Sequence, residues 1–218
     1  MPMTKAIRCA HVVAVAATSV IAGLSMTGLG ASARGIVGGA LLGLVWSLLL
    51  VSLIARVLPD DVWTPRLANA SIFLAIVASG VQLGGGVMYG LLMTAAVGAP
   101  TDILSSLMQP AIPFFIIVNT PMELLIVPAA VVTNWDVGRR RGLVVSAASI
   151  YYLLRIWTYL VYVPNRMAIA ARPLSPGDLE WFHRTLSVDY RTIPVAVVYI
   201  AFTAAAFVSS SPKNDRPL

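Results

Sequence analysis

Residues 109–166 read QPAIPFFIIVNTPMELLIVPAAVVTNWDVGRRRGLVVSAASIYYLLRIWTYLVYVPNR. Two apolar runs, Pro110–Thr133 and Gly142–Val163, flank a short basic turn over Asn134–Arg141. At about 1.5 Å of rise per residue, each run is long enough to cross the ~30 Å hydrocarbon core of a bilayer as a helix. Each also carries one ionisable residue at membrane depth, Glu123 near the middle of the first and Arg155 slightly past the middle of the second. A charge there costs roughly 3 kcal/mol on insertion scales, so it is expected to face the bundle interior and to have a partner. The two runs are antiparallel, which brings Glu123 and Arg155 within roughly 6 Å of the same depth, a gap an arginine side chain spans.

The pair has polar company. Asn119 and Thr120 precede Glu123 by four and three residues and share its helical face. Tyr151, Tyr152, Thr158, Tyr159 and Tyr162 recur around Arg155 at helical spacings. The result is a charged, tyrosine-rich seam within apolar helices, with two readings. The pair is a structural lock on helix register, or it is a substrate or proton site with Glu123 as base or proton carrier, Arg155 as counter-charge and the tyrosines orienting a ligand.

Composition bounds the class. Of 218 residues, 58% are hydrophobic and 11% charged, and the mean hydropathy is +0.84. A soluble domain of this length cannot hide so much apolar surface, so the chain reads as an all-α, polytopic transmembrane bundle of about six helices. The net charge of +6 comes from residues in short loops and ends, which act as topology signals. No interleaving of aromatic and basic residues points to nucleic acid. Cys9 is the single cysteine, so no intrachain disulfide forms, and Cys9 with His11 makes no metal motif. The richness in Ala, Val, Gly and Arg resembles that of a bacterial protein.

Outward toward the start, residues 1–60 read as a transmembrane hairpin. Cys9–Gly30 is an apolar span followed by Ala31-Ser32-Ala33, which resembles a signal-peptidase site. The apolar region exceeds the usual core of a signal peptide, so a retained helix is expected. The second helix, Gly35–Val57, carries Gly35, Gly39 and Gly43 at every fourth position, a face of bare backbone suited to close helix packing. A polar link over Leu58–Leu67 leads to a third helix, Ala68–Val97, with Gly80, Gly84, Gly85, Gly86 and Gly90 and a single interior amide, Gln82. These glycines follow no strand and contain no GxGxxG, so they do not read as a nucleotide site.

Toward the other end, residues 68–209 read as a four-helix membrane unit containing one extramembrane segment, 165–190. Pro164 ends the fifth helix, and a short interfacial helix carrying Trp181, Phe182 and His183 is expected in that segment. Thr192–Ser209 is a short sixth span, and 210–218 a polar tail. Asn165, Arg166 and Arg191 suit helix capping or contact with lipid phosphate. Trp46, Trp63, Trp135, Trp157 and Trp181 read mostly as interface anchors, with Trp157 close enough to Arg155 to line a pocket instead. With both ends on one side, Lys and Arg divide nine against five in favour of that side, which puts both termini in the cytoplasm of a bacterial inner membrane.

From the third helix onward, roughly residues 68–209, the chain resembles the anthrone-oxygenase-like family of small polytopic membrane proteins. The residues carrying the likeness are Val163-Pro164-Asn165-Arg166-Met167, then Trp181, then Arg191-Thr192 at the start of the last helix. The resemblance implies a four-helix membrane fold and oxygenation of a polycyclic aromatic without a metal or flavin. It also draws attention to a histidine three residues before the Arg-Thr pair. This chain has Val188 there, and its nearest histidine is His183.

The candidate catalytic residues are therefore Glu123, Arg155 and His183. The candidate ligand contacts are Asn119, Thr120, Tyr151, Tyr152, Tyr159, Tyr162, Asn165 and Arg191. No cofactor and no metal set is expected, because His11 and His183 fall at opposite membrane faces. In one functional class, a small apolar molecule occupies a pocket between the third, fourth and fifth helices. In the other, the protein is a scaffold or accessory subunit, and the glycine faces of the second and third helices dock a second copy or another membrane protein.

Overall fold

The computed structural model describes residues 5–28, 31–57, 63–96, 103, 106, 111–136, 138–164, 177, 180 and 191–208. Among these, all regular structure is helical. Helix α1 is Lys5–Gly28, α2 Ala33–Val57 and α3 Trp63–Ala95. Helix α4 has three sections: α-helical Ala111–Pro121, a π-helical turn over Met122–Ile126, and α-helical Val127–Thr133. Helix α5 runs Gly138–Trp157 and continues through a second π-helical turn, Thr158–Tyr162. Helix α6 is Thr192–Ala206. By length and composition, α1 to α5 can each cross a membrane, which suggests a multi-pass membrane protein. The 15 residues of α6 rise about 22 Å, short of a full bilayer core.

Two of the shifts in expected boundaries bear on packing. The polar link after α2 ends early, because Trp63–Leu67 already belongs to α3. Pro65 is tolerated there because the first N–H groups of a helix have no intrahelical acceptor. The turn after α4 is shorter than Asn134–Arg141. The Asn134 side-chain amide folds back on Ala130 O at 2.8 Å and closes α4, and α5 starts at Gly138. Arg139–Arg141 therefore form its first turn. Arg140, one of the cations of the basic turn read as topology signals, is buried and donates to Asn69 Oδ1 of α3 at 2.9 Å.

The main core joins four helices. Ile72 and Ala75 of α3, Met122, Val127 and Ala130 of α4, Val144 and Ala147 of α5, and Val198 and Phe202 of α6 are buried together. A smaller cluster of Ala14, Val51, Ile54 and Val132 ties α1 and α2 to the end of α4. Helices α1 and α2 form the expected tight hairpin, and Gly39 and Gly43 permit it. A methyl group on Gly39 would lie 2.8 Å from Ala22 O, and one on Gly43 3.0 Å from Thr18 O. The hairpin thus uses Gly39 and Gly43 of the α2 glycine face, whereas a methyl group on Gly35 would meet only Ala31. On α3, Gly85 admits the Phe114 ring, which lays the first section of α4 against α3, whereas Gly84 and Gly90 have nothing within 4 Å.

Candidate functional site

Two prolines shape the site through the backbone. In a π turn an N–H reaches the carbonyl five residues back, and Val127 N–H bonds Met122 O. Glu123 O thereby loses Val127, its α-helical donor, and the next residue is Pro128, which has no N–H. Leu124 O loses its α-helical donor to Pro128 as well. In an apolar surrounding such carbonyls need partners from elsewhere. The Tyr152 hydroxyl of α5 donates to Glu123 O at 2.9 Å, and the Trp46 indole of α2 donates to Leu124 O at 2.7 Å. The second π turn has the same construction: Val163 N–H bonds Thr158 O, and Pro164 follows. The two segments, MELLIVP over 122–128 and TYLVYVP over 158–164, share a closing Val-Pro, and their second residues are Glu123 and Tyr159.

Those two residues meet. Tyr159 Oη lies 3.0 and 2.9 Å from the two Glu123 carboxylate oxygens and accepts from Arg155 Nη2 at 2.8 Å. Arg155 Nε donates to Glu123 Oε1 in a buried ion pair. The arginine also lies over the Tyr159 ring, 4.6 Å from its centroid. Carboxylate, guanidinium and phenol thus form a closed triad in which the two charges cancel. Beside it, Gln82 Nε2 of α3 donates to Asn119 Oδ1 at 2.7 Å and, at a longer 3.4 Å, to the Tyr151 hydroxyl.

The triad and the amide pair lie on one wall of a cleft of about 710 Å³. That volume falls within the range of small-molecule sites, about 300–1,000 Å³. Its lining is mostly apolar and comes from each of the six described helices: Ala22 and Ser25 of α1, Gly39, Leu42 and Trp46 of α2, Gln82 and Gly86 of α3, Phe115, Ile116 and Leu124 of α4, Leu154 and Thr158 of α5, and Thr192 and Val195 of α6. The cleft is thus lined by the hairpin and by α6 as well as by α3, α4 and α5. Arg191 also lines it, lying over the Tyr162 ring at 3.6 Å from the centroid.

Of the sequence candidates, Glu123, Arg155, Asn119, Thr120, Tyr151, Tyr159, Tyr162 and Arg191 all line this cleft. Tyr152 does not: its hydroxyl is taken by the Glu123 carbonyl, because consecutive helical positions point about 100° apart and Tyr151 holds the cleft side. Trp157, which was open to a pocket reading, is exposed and packs against Tyr162, with ring centroids 6.3 Å apart. His183, Asn165, Trp181 and the expected interfacial helix lie outside the described residues. Among the described residues no cluster of three His, Cys, Asp or Glu side chains could hold a metal.

Two contributors escaped the sequence reading. Gln82 was visible as the one interior amide of α3, but its partners are on other helices. Trp46 looked like an interface anchor, yet it satisfies a carbonyl that Pro128 leaves open, and that proline was its only signal. Comparison with protein-family models, with curated proteins and with solved structures finds no match for this chain.

Proposed function

We propose that this is a multi-pass protein of a bacterial inner membrane, with both termini cytoplasmic, whose cleft binds a small apolar or aromatic molecule beside the Glu123–Arg155–Tyr159 triad. The observation that carries this reading is the placement of a buried, paired carboxylate at the wall of a large apolar cleft. A lock on helix register needs the pair but not the cleft. In this reading Glu123 accepts or passes a proton, Tyr159 relays its hydrogen bond, and Arg155 keeps the site neutral overall. An oxygenase of the anthrone-oxygenase-like kind is one activity such a site could carry, and the triad supplies the acid–base group for it.

Native mass spectrometry of the protein in mild detergent tests the proposal. A discrete added mass, retained by the wild type and lost in Glu123→Gln, is the expected result. A bare chain, or one found only in complex with another protein, would favour the scaffold reading instead. That reading is favoured by one observation, the open positions Gly84 and Gly90 on α3.

A further inference from the structure

We infer that the cleft receives a membrane-dissolved amphiphile, with an apolar tail and a neutral head of the primary-carboxamide class, through a portal between α2 and the first section of α4. This deepens the ligand-site reading above and rests on it. Three observations converge on the chemistry of the occupant.

The first is the amide pair. Gln82 and Asn119 are 5% and 6% exposed, and both line the cleft. Their mutual hydrogen bond uses the Gln82 amino group and the Asn119 carbonyl, and among the described residues nothing meets Gln82 Oε1 or Asn119 Nδ2. These atoms differ from Asn134 Oδ1 and Arg140 Nη1, which lack partners and are fully buried. Exchanging oxygen and nitrogen in both amides changes which residue supplies which group but not the sum. An amide bonded once to another amide always leaves one carbonyl and one NH2. The Tyr151 hydroxyl adds a third polar group at the same place. The complement is a head that donates and accepts on neighbouring atoms.

The second is charge. Glu123 and Arg155 already neutralise each other inside the wall. A charged head would compete for one member and strand the other, which is costly away from water. A neutral head leaves the pair intact.

The third is the direction of access. Leu42 and Ile116 line the cleft and yet are 73% and 50% exposed, so their side chains face both the cavity and the outside of the bundle. Helix α2 packs against Met122–Ile126 and Val127–Thr133, whereas Ala111–Pro121 lies against α3. Helices α2 and α4 therefore diverge from the Trp46–Leu124 hydrogen bond, and the gap widens between apolar surfaces. A molecule coming from lipid crosses that gap without leaving an apolar medium, and its tail has room to remain there.

The test uses the full chain in lipid nanodiscs and two photoreactive probes with the same diazirine- and alkyne-bearing hexadecyl tail. One ends in a primary carboxamide. The other ends in a methyl ester, which accepts a hydrogen bond but cannot donate one. Saturable labelling of α2 and α4 peptides is expected, with the amide favoured about tenfold at low concentration, the worth of roughly one net hydrogen bond. Gln82→Leu should bring the amide down to the ester's level. Leu42→Trp, on an exposed face where folding is undisturbed, should slow labelling severalfold with an unchanged melting temperature. Equal labelling by both probes on the wild type overturns the head-group inference, whether or not the Gln82 variant folds, and leaves the cleft as a ligand site. An amide preference that Leu42→Trp does not slow overturns the portal. Absence of saturable labelling by either probe overturns this inference and the ligand-site reading together.

Discussion

The indole N–H of Trp46, on α2, lies 2.7 Å from the carbonyl oxygen of Leu124, on α4, whose α-helical donor would be the missing N–H of Pro128. A proline in one helix is thus answered by a tryptophan in another, and the bond stands where α2 and α4 begin to diverge. Trp46→Phe should lower stability by about 1–2 kcal/mol, the cost of an unsatisfied carbonyl. Pro128→Ala supplies a donor within α4. The double variant Trp46→Phe/Pro128→Ala should therefore lose less than the two single losses added together. Thermal unfolding of all four proteins in one detergent checks this, and additivity to within about 0.5 kcal/mol would disconnect the two residues.

Breaking the ion pair should cost more than deleting it. Glu123→Gln leaves Arg155 buried beside a neutral amide, with an expected loss of about 3 kcal/mol. Glu123→Gln/Arg155→Gln removes both charges and should recover a substantial part of that loss. If Glu123→Gln melts like the wild type while abolishing the bound mass, the carboxylate serves ligand chemistry more than structure.

Two tyrosines about two helical turns apart should separate cleanly. Tyr152→Phe removes the donor to Glu123 O, so it should reduce stability by about 1 kcal/mol and leave ligand retention alone. Tyr159→Phe removes a contact to both carboxylate oxygens at the cleft wall, so it should change ligand retention most. Stability and bound mass measured on the same preparations decide it, and the reverse assignment would contradict the geometry.

The glycines should divide by helix. Gly43→Ala drives a methyl toward Thr18 O in the hairpin and should cost about 1–3 kcal/mol. Gly84→Ala meets nothing and should be neutral or stabilising by up to about 1 kcal/mol from helix propensity. Melting temperatures in detergent suffice to test both.

Orientation is open to chemical labelling, because Cys9 is the single native cysteine. In a Cys9→Ala background, Arg34→Cys and Arg139→Cys should react with a membrane-impermeant maleimide from opposite sides. Labelling of Arg34→Cys, but not of Arg139→Cys, in intact cells with a permeabilised outer membrane agrees with cytoplasmic termini. The opposite pattern inverts the topology.

Hydropathy and spacing along the chain were sufficient for the helical class, the α1–α2 hairpin and the partnership of Glu123 with Arg155. A charge within an apolar run is conspicuous, and antiparallel neighbours of known rise have calculable depths. Periodicity likewise grouped Asn119, Tyr151, Tyr159 and Tyr162, which line the cleft, since residues three or four apart share a helical face. It could not separate Tyr152, whose hydroxyl meets the Glu123 carbonyl, from Tyr151, because periodicity carries no information about which neighbour lies where. Arg140 failed for the same reason: its burial depends on Asn69, 71 positions earlier in the chain.

The cleft belongs to the tertiary structure alone. Its walls come from the six described helices, its amide pair joins α3 to α4, and the first π turn beside it has carbonyls answered from α2 and α5. A backbone group's demand for a hydrogen-bond partner can be read locally, from a proline. The side chain that meets it is set by which helices pack together, and that emerges only when the whole bundle closes.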